Sequence, residues 1–174
     1  MARTTEEVAD LKALSVYQPW GWAIAEGHKP IENRTKRPGK VLGGLLVLHG
    51  AQIYDGDAER EIRKLLGLER LPLVAQRRGL LAVVRVRAVV EVGRKPDGSF
   101  DLLGFDGDLD RAGAFAYLES PWLSGPKGWI CETVLRLPER SLFEDVRGWP
   151  GVFSVPAPAS RAIRLLLDEA GVSG

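Results

Sequence analysis

The chain has 174 residues, 24 basic and 23 acidic side chains, and a formal net charge of +1 at pH 7. This length suits one domain with a single core, and one cysteine with two histidines excludes an internal disulfide and a zinc site built from Cys and His ligands. The longest apolar runs are far shorter than the roughly 18 residues needed to cross a bilayer. We therefore expect a cytoplasmic protein with no metal ion, no cofactor and no membrane partner.

Charge is distributed unevenly along the chain. Residues 59–95 contain ten basic and four acidic side chains, and residues 96–110 then contain five aspartates and no basic residue. A local basic excess of this kind is typical of a surface that binds a polyanion. It is also typical of an amphipathic helix followed by a polar loop, and composition alone favours this ordinary interpretation.

The N-terminal region predicts a strand followed by a helix. Residues 1–12 form a polar leader in this interpretation, and the apolar residues 13–17 are typical of a short strand. Pro19 suits the first turn of a helix, and Gly27 ends the apolar pattern that follows it. We therefore expect one helix between these two residues.

Two further strands are predicted before residue 51. Residues 29–35 predict an edge strand, or a strand entered through an irregular turn, because Pro30 has no N–H to donate to a sheet. Residues 41–50 predict a stronger strand, in which Gly43 and Gly44 are typical of a bulge or a barrel corner.

The middle of the chain combines one amphipathic helix with one long strand. Residues 55–68 place Ile62, Leu65 and Leu66 on one helical face, with basic side chains opposite. Residues 79–92 carry apolar side chains at their even positions, which predicts one core face and one partly wet face. A straight strand of this length would span roughly 45 Å, so we expect it to bend as strands of small barrels do.

The C-terminal part predicts two strands and a helix after an irregular loop over residues 101–121. The strands are residues 127–137 and 152–155, and residues 160–170 form an amphipathic helix with Gly171 after it. Strands of this kind with a few helices between them indicate an α+β fold built on a bent or closed sheet.

One short segment carries a recognisable spacing of glycine and charged residues. The pattern G-x-K-x-x-E-x-R is supplied by Gly27, Lys29, Glu32 and Arg34. This pattern is the signature of the ASCH domains, and the chain resembles bacterial and phage members of that family. The flanking segments LSVYQPW, LVLHGAQ, SPWLSGPKGWICE and WPGVFSVP strengthen the resemblance. It covers roughly residues 13–156, apart from residues 55–78 and 94–118.

The resemblance implies a PUA-like β-barrel of about five or six strands with peripheral helices and a cleft beside it. On this basis we expect one barrel domain over residues 13–156, with a helical insertion near residues 55–68 and a C-terminal helix, residues 157–174, packed on it. Relatives are suspected of binding RNA or another nucleic acid, and a few deacylate a modified cytidine or cleave RNA. In the deacylating relatives a catalytic threonine stands at the position of Glu32, so their mechanism does not transfer intact, although Lys29 matches.

The charged signature residues also have a chemical interpretation of their own. In an extended segment, Glu32 and Arg34 lie on the same face. Arg34 offers a fork for a phosphate or a base edge, Glu32 can accept from an exocyclic amine, and Lys29 can contact a phosphate or, if desolvated, act as a nucleophile or base. The alternative is a structural ion pair between Glu32 and Arg34 at the mouth of the barrel, with Lys29 solvated.

Further candidates are aromatic and polar residues near the signature. Trp20 follows Gln18 at a helix start, and Trp122 follows Ser120 in a loop that can close over a cleft. Aromatic rings beside a basic cleft stack on unpaired bases. The tryptophans expected to pack in the core or at its rim are Trp22, Trp129 and Trp149.

Three residues form a second tier of candidates. His49, at the end of a strand, suits either acid/base chemistry or a hydrogen-bonded structural role. Arg85 and Arg87 either extend a positive surface or lie on a solvated strand face.

The leading hypothesis is a module that holds a base or nucleotide of RNA, or of another single-stranded nucleic acid, in a cleft beside the barrel. The expected ligand-binding residues are Gln18, Trp20, Lys29, Glu32, Arg34, Ser120 and Trp122. The alternative is a small metal-free hydrolase that acts on an acylated nucleobase or on RNA, with Lys29 and Glu32 as its catalytic pair. A protein interaction module is the third hypothesis. The expected partner is therefore a nucleic acid or a nucleoside.

Overall fold

The structure is a computed structural model that describes residues 10–173. Most of the predicted polar leader lies outside the described residues. Two 3-10 helices, Gly39–Val41 and Leu73–Gln76, lie in connections. The strands and α-helices of the described part are, in chain order, β1 (Lys12–Gln18), α1 (Trp20–Ala25), β2 (Ile31–Arg34), β3 (Leu45–Tyr54), α2 (Gly56–Leu66), β4 (Gly79–Arg94), β5 (Phe100–Gly107), α3 (Arg111–Tyr117), β6 (Lys127–Arg136), α4 (Ser141–Glu144), β7 (Val152–Ser154) and α5 (Ala157–Glu169).

The strands of the described part belong to one mixed sheet. Six of them follow the order β2-β6-β4-β3-β1-β7, and β5 pairs with β4 outside this path. β1 and β3 are parallel, and the other pairs are antiparallel. The sheet curls into a half-barrel with helices around it, which confirms the predicted α+β fold of the PUA-like type. β2 lies at one edge of the sheet, as the proline before it predicts.

β4 is the strand around which the sheet curls. The predicted bend is confirmed, because its pairing with β6 shifts register between Val83 and Val84 and again between Val86 and Ala88. The prediction of one core face and one partly wet face is confirmed. The even positions are all buried, whereas the odd positions combine the exposed Arg87 with the buried Val83 and Val89. At the register shift between Val86 and Ala88, the face of β4 that packs against a given core cluster changes. Val86 and Ala88 consequently belong to different core clusters although both positions are even.

The chain between residues 101 and 121 is not the irregular loop that the sequence predicts. It forms most of β5 and all of α3. Its aspartates have local structural roles: the Asp110 side chain accepts from the Gly113 N–H at 2.7 Å and caps α3, and Asp108 pairs with Arg87 of β4. β5 has the sequence FDLLGFDG, whose Gly and Asp residues have low strand propensity, so its conformation depends on pairing with β4.

The structure contains three other predicted elements, one strand and two amphipathic helices. The strand predicted over residues 41–50 begins only at Leu45 and continues to Tyr54, and Gly43 lies in the turn before it with φ of 79°. α2 and α5 confirm the two predicted amphipathic helices. Among the helices of residues 10–173, none combines the length and the apolar character that crossing a bilayer requires.

Candidate functional site

α1 is held in place by a buried glutamine at the end of β1. Gln18 is 1% exposed; its Oε1 accepts from the Trp22 N–H at 2.8 Å, and its Nε2 donates to the Arg77 carbonyl at 2.5 Å. Gly50 of β3 leaves room for this side chain, because a Cβ there would lie 2.8 Å from Gln18 Nε2. Gln18 therefore fixes the helix that carries Trp20, and it does not line the cleft described below.

The glycine of the signature turns the chain from α1 towards β2. Gly27 has φ of 78°, a left-handed conformation that glycine adopts without strain. The N–H groups of His28 and Lys29 then both donate to the Ala23 carbonyl, at 2.9 and 3.0 Å. This turn brings Lys29 beside the first residues of β2.

The three charged signature residues converge on one carboxylate. Glu32 Oε2 lies 3.4 Å from Lys29 Nζ, and Glu32 Oε1 lies 3.5 Å from Arg34 Nη1. Lys29 also donates to the Ile31 carbonyl. Lys29 and Glu32 are 4% and 6% exposed, whereas the Arg34 side chain is 30% exposed. The three side chains therefore converge, and Arg34 is the member that faces solvent.

Two tryptophans stand next to these charges. The Lys29 ammonium lies 5.5 Å from the centre of the Trp20 ring, within the range of a cation–π contact. The centres of the Trp20 and Trp122 rings are 6.4 Å apart, and the ring planes meet at 85°. Both residues are partly exposed. Trp20 and Trp122 therefore form a right-angled aromatic corner beside the charged residues.

Asn33, whose role the sequence did not predict, joins this corner to the signature strand. Its Nδ2 donates to the Trp122 carbonyl at 2.9 Å, and its Oδ1 accepts from the N–H groups of Ser124 and Gly125. Ser120 Oγ accepts a longer hydrogen bond, 3.3 Å, from the Trp122 N–H. Asn33 and Ser120 are thus placed to position Trp122. The sequence signal for Asn33 is its place inside the signature, where one amide can bind several backbone groups of a neighbouring loop.

A cleft of about 1510 Å³ on this face of the molecule is lined by two groups of residues. The signature group consists of Trp20, Lys29, Glu32, Arg34 and Trp122. The second group consists of Ser15, His49, Arg78, Arg147 and Trp149. Among the described residues, three arginines that line the cleft form no ion pair, namely Arg78, Arg94 and Arg147.

The signature lies in a part of the chain that matches a known protein family. A family model for the ASCH domain matches residues 14–101, a span that includes every residue of the signature. The chain belongs to the ASCH domain family. Domains of this family are generally considered to bind RNA or to have related roles. No curated protein matches the chain at a significant level. The ASCH match runs from β1 to the start of β5, so Trp122 and Trp149 come from the part of the chain beyond it.

His49 binds residues 144–151, which follow the part of the chain matched by the ASCH model, to the sheet. Its Nε2 lies 2.8 Å from the Val146 carbonyl, and its Nδ1 lies 3.1 Å from Ser15 Oγ. Burial lowers the pKa of His49, and the neutral ring fits both contacts, with Nε2–H donating to the carbonyl and Nδ1 accepting from the hydroxyl. Gly148 covers both side chains, because a Cβ there would collide with Ser15 Oγ and the His49 ring. These contacts favour the structural role for His49.

The two second-tier arginines lie outside the cleft. Arg85 donates to the Ser173 carbonyl at 2.6 Å. Arg87 pairs with Asp108 and, at 3.4 Å, with Glu132. These local partners favour a solvated strand face over an extension of the positive surface.

The tryptophans expected to pack fall into two kinds. Trp22 and Trp129 are 5% and 3% exposed and belong to core clusters, as predicted. Trp149 does not pack in the core: it is 56% exposed, it lines the cleft, and the Arg147 guanidinium lies 5.2 Å from its ring centre. The reason is that its segment is anchored through the Val146 carbonyl, not through the indole.

Two further kinds of reactive group, the cysteine thiol and possible metal ligands, offer no reactive site in the described residues. Cys131 is buried, and burial raises the pKa of its thiol to about 12, so the thiol is a poor nucleophile at neutral pH. Across residues 10–173, no group of three or more His, Cys, Asp or Glu side chains is arranged to hold a metal ion.

Proposed function

We propose that this ASCH domain binds single-stranded nucleic acid, RNA above all, and holds one unpaired base at the signature group. The observation that carries the proposal is the meeting of the aromatic corner with the buried Lys29–Glu32 pair and the more exposed Arg34. Each of these parts matches one component of a nucleotide.

The aromatic corner suits the base. A base that stacks on one ring presents its edge to the face of the other, because the two rings meet at 85°. Stacking of a base on an aromatic side chain contributes about 1–3 kcal/mol. A duplex hides the faces of its bases, so this contact favours single strands.

The charged residues suit the polar edge of the base and its phosphate. Glu32 uses one oxygen for each cation, and a carboxylate has about four acceptor sites, so it can still accept from an exocyclic amine. Arg34 offers its guanidinium fork to a phosphate. Lys29 holds the carboxylate in place and adds positive charge near the Trp20 ring.

The test is a titration of a fluorescent 12-mer RNA, of the single-stranded DNA of the same sequence, and of the matching DNA duplex at low salt. We expect the single strands to bind with micromolar affinity and the duplex to bind more weakly. Trp122→Ala should weaken single-strand binding by about 5-fold to 150-fold, the equivalent of one stacking contact.

Phe115→Ala is the matched control for this titration. Phe115 is 46% exposed and has the Arg111 guanidinium 5.3 Å from its ring centre, but it does not line the cleft. Equal losses in the two variants would contradict the proposed site. Absence of binding to all three nucleic acids would overturn the proposal and leave the hydrolase or the protein interaction module.

A hydrolase acting on an acylated nucleobase or on RNA is the second candidate, and the withdrawal of Lys29 from solvent is the observation that favours it. The Lys29 and Glu32 side chains are 5% and 8% exposed beside the proposed base site. Such a pair can serve as the acid/base or nucleophile pair that adds water to an acyl carbonyl and returns a proton to the leaving amine.

This second candidate has its own test. The wild-type protein is assayed with a panel of acylated nucleosides and RNAs, and it should hydrolyse at least one of them. Lys29→Met should abolish that turnover while circular dichroism shows that the variant is folded. If wild type turns over no member of the panel, the hydrolase is excluded and the binding proposal is unaffected.

A further inference from the structure

The cleft is larger than one nucleotide requires. Its volume of about 1510 Å³ exceeds the roughly 300–1000 Å³ of pockets that enclose one small ligand. The signature group forms only part of its lining, and the second group stands in the same cleft. The size and the lining together indicate room for more than one unit of a polymer.

The second group contains the same kinds of side chain as the signature group. Trp149 is 56% exposed, and the Arg147 guanidinium lies 5.2 Å from its ring centre. Arg78 and Arg147 are both exposed, and neither pairs with a carboxylate of the described residues. An exposed indole with two such guanidinium groups offers a face for a base and donors for a phosphate.

Acidic residues that line the same cleft affect the relative contributions of base stacking and phosphate contacts to binding. Glu144 and Asp145 also line the cleft, and Glu144 lies 3.8 Å from Arg77. Their negative charge lowers the positive potential around Arg147. Stacking on Trp149 should therefore contribute more to binding than the phosphate contacts do.

The backbone that carries Trp149 is fastened to the sheet. His49 contacts the Val146 carbonyl at 2.8 Å, and Gly148 packs closely over Ser15. A ring presented on an anchored segment loses less conformational freedom on binding than one on a free loop.

We infer that Trp149, Arg78 and Arg147 form a second nucleotide subsite, so that the ligand of the cleft is an oligonucleotide and not a free nucleoside. This inference rests on the proposed function, because the nucleic-acid strand that is bound at the signature group would extend to the second subsite. Ser15, which touches the segment of Trp149, precedes Trp20 by five residues, and five extended residues span at most about 18 Å. Stacked nucleotides repeat every 3.4 Å or so, so a strand of about eight nucleotides can reach both subsites.

The experiment measures the affinity of the whole chain for oligoadenylates from the mononucleotide to the octamer by competition with a fluorescent RNA. Trp149→Ala should weaken octamer binding about 5-fold to 50-fold and leave mononucleotide binding within about twofold of wild type. Trp122→Ala should weaken both. Arg147→Ala should reproduce the selective loss for the octamer at a smaller magnitude, and Phe115→Ala should change neither affinity.

The outcomes separate this inference from the proposed function. If Trp149→Ala leaves octamer binding unchanged, or weakens both ligands equally, the second subsite is overturned while the effect of Trp122→Ala still supports the signature group. If wild type binds neither the mononucleotide nor the octamer, the proposed function fails and the second subsite fails with it.

Discussion

The Lys29 ammonium lies 3.4 Å from Glu32 Oε2, although both side chains are less than a tenth exposed. Removing two charges from water costs several kcal/mol per ion, and their attraction offsets this cost only when further hydrogen bonds satisfy them. The Ile31 carbonyl and Arg34 supply such contacts here. An apolar pair of the same volume would stabilise the fold about as well, so the stability of the fold does not require a charged pair at these positions.

Breaking the pair from one side should destabilise the protein strongly. Glu32→Gln leaves the Lys29 ammonium buried without a carboxylate, and we expect the free energy of unfolding to fall by about 3–5 kcal/mol. Urea denaturation measures this loss. Asp57→Asn is the matched control, because Asp57 and Arg60 form an exposed pair at the same i, i+3 spacing, and its loss should stay below about 1 kcal/mol. Losses of equal size would show that burial does not distinguish the two pairs.

His49 should make the stability depend on pH. Burial lowers its pKa in the folded chain, whereas the unfolded chain takes up this proton near pH 6.5. Between the two pKa values the unfolded state binds more protons, so the free energy of unfolding falls as the pH drops below 6.5 and levels off below the folded-state pKa. The slope from this one group can reach about 1.4 kcal/mol per pH unit.

Thermal unfolding in the range of about pH 5.5 to 7.5 tests this dependence. His49→Gln should remove it, with some loss of stability at every pH because Ser15 and Val146 lose their partner. His28→Gln changes the other histidine, which is exposed, and should keep the wild-type slope. A wild-type slope in His49→Gln would assign the dependence to other groups.

Gly148 packs against the sheet in the segment that carries Trp149. Gly148→Ala places a methyl group against Ser15 Oγ and the His49 ring, so the segment must shift. We expect a stability loss of about 1–3 kcal/mol and weaker octamer binding, with mononucleotide binding unchanged. Gly44→Ala is the control, since its methyl group would make only an ordinary contact. Thermal unfolding and the oligoadenylate competition check both effects, and unchanged octamer binding would separate Gly148 from the second subsite.

The charged part of the signature was predictable because its information is local. Glu32 and Arg34 share a face in any extended segment, and Gly27 allows the turn that brings Lys29 to them within a few residues. The position of Trp122 was not predictable in this way. It depends on the hydrogen bond of its carbonyl with Asn33, 89 residues earlier, and no periodicity in the sequence reports such a pairing.

The elements that sequence patterns missed are those stabilised by their neighbours. β5 combines glycine and aspartate in a pattern typical of a loop, and pairing with β4 makes it a strand. Within β4, alternation predicted the strand and its buried even positions correctly, but it did not reveal where the pairing with β6 shifts register. Trp149 was assigned to packing because most tryptophans pack, and its exposure follows from the anchoring of Val146 by His49.

Nucleic-acid binding should depend only moderately on salt, since the net charge is +1 and the cations come from the cleft alone. Arg34 and the exposed arginines of the cleft should neutralise about two to four phosphates. For single strands, log K changes with log salt by about −0.7 per phosphate, so we expect a slope of roughly −1.5 to −3.

Two variants divide this binding into its electrostatic and stacking parts. Arg34→Ala should make the slope shallower by about 0.7, one phosphate equivalent, whereas Trp20→Ala should weaken binding and leave the slope unchanged, because stacking releases no counterions. Arg60→Ala removes an arginine that pairs with Asp57 outside the cleft, and it controls for a general effect of charge. Titrations of the 12-mer RNA at several salt concentrations measure the slopes. Identical slopes in wild type and Arg34→Ala would exclude a phosphate contact at Arg34, because such a contact must displace a counterion that added salt restores.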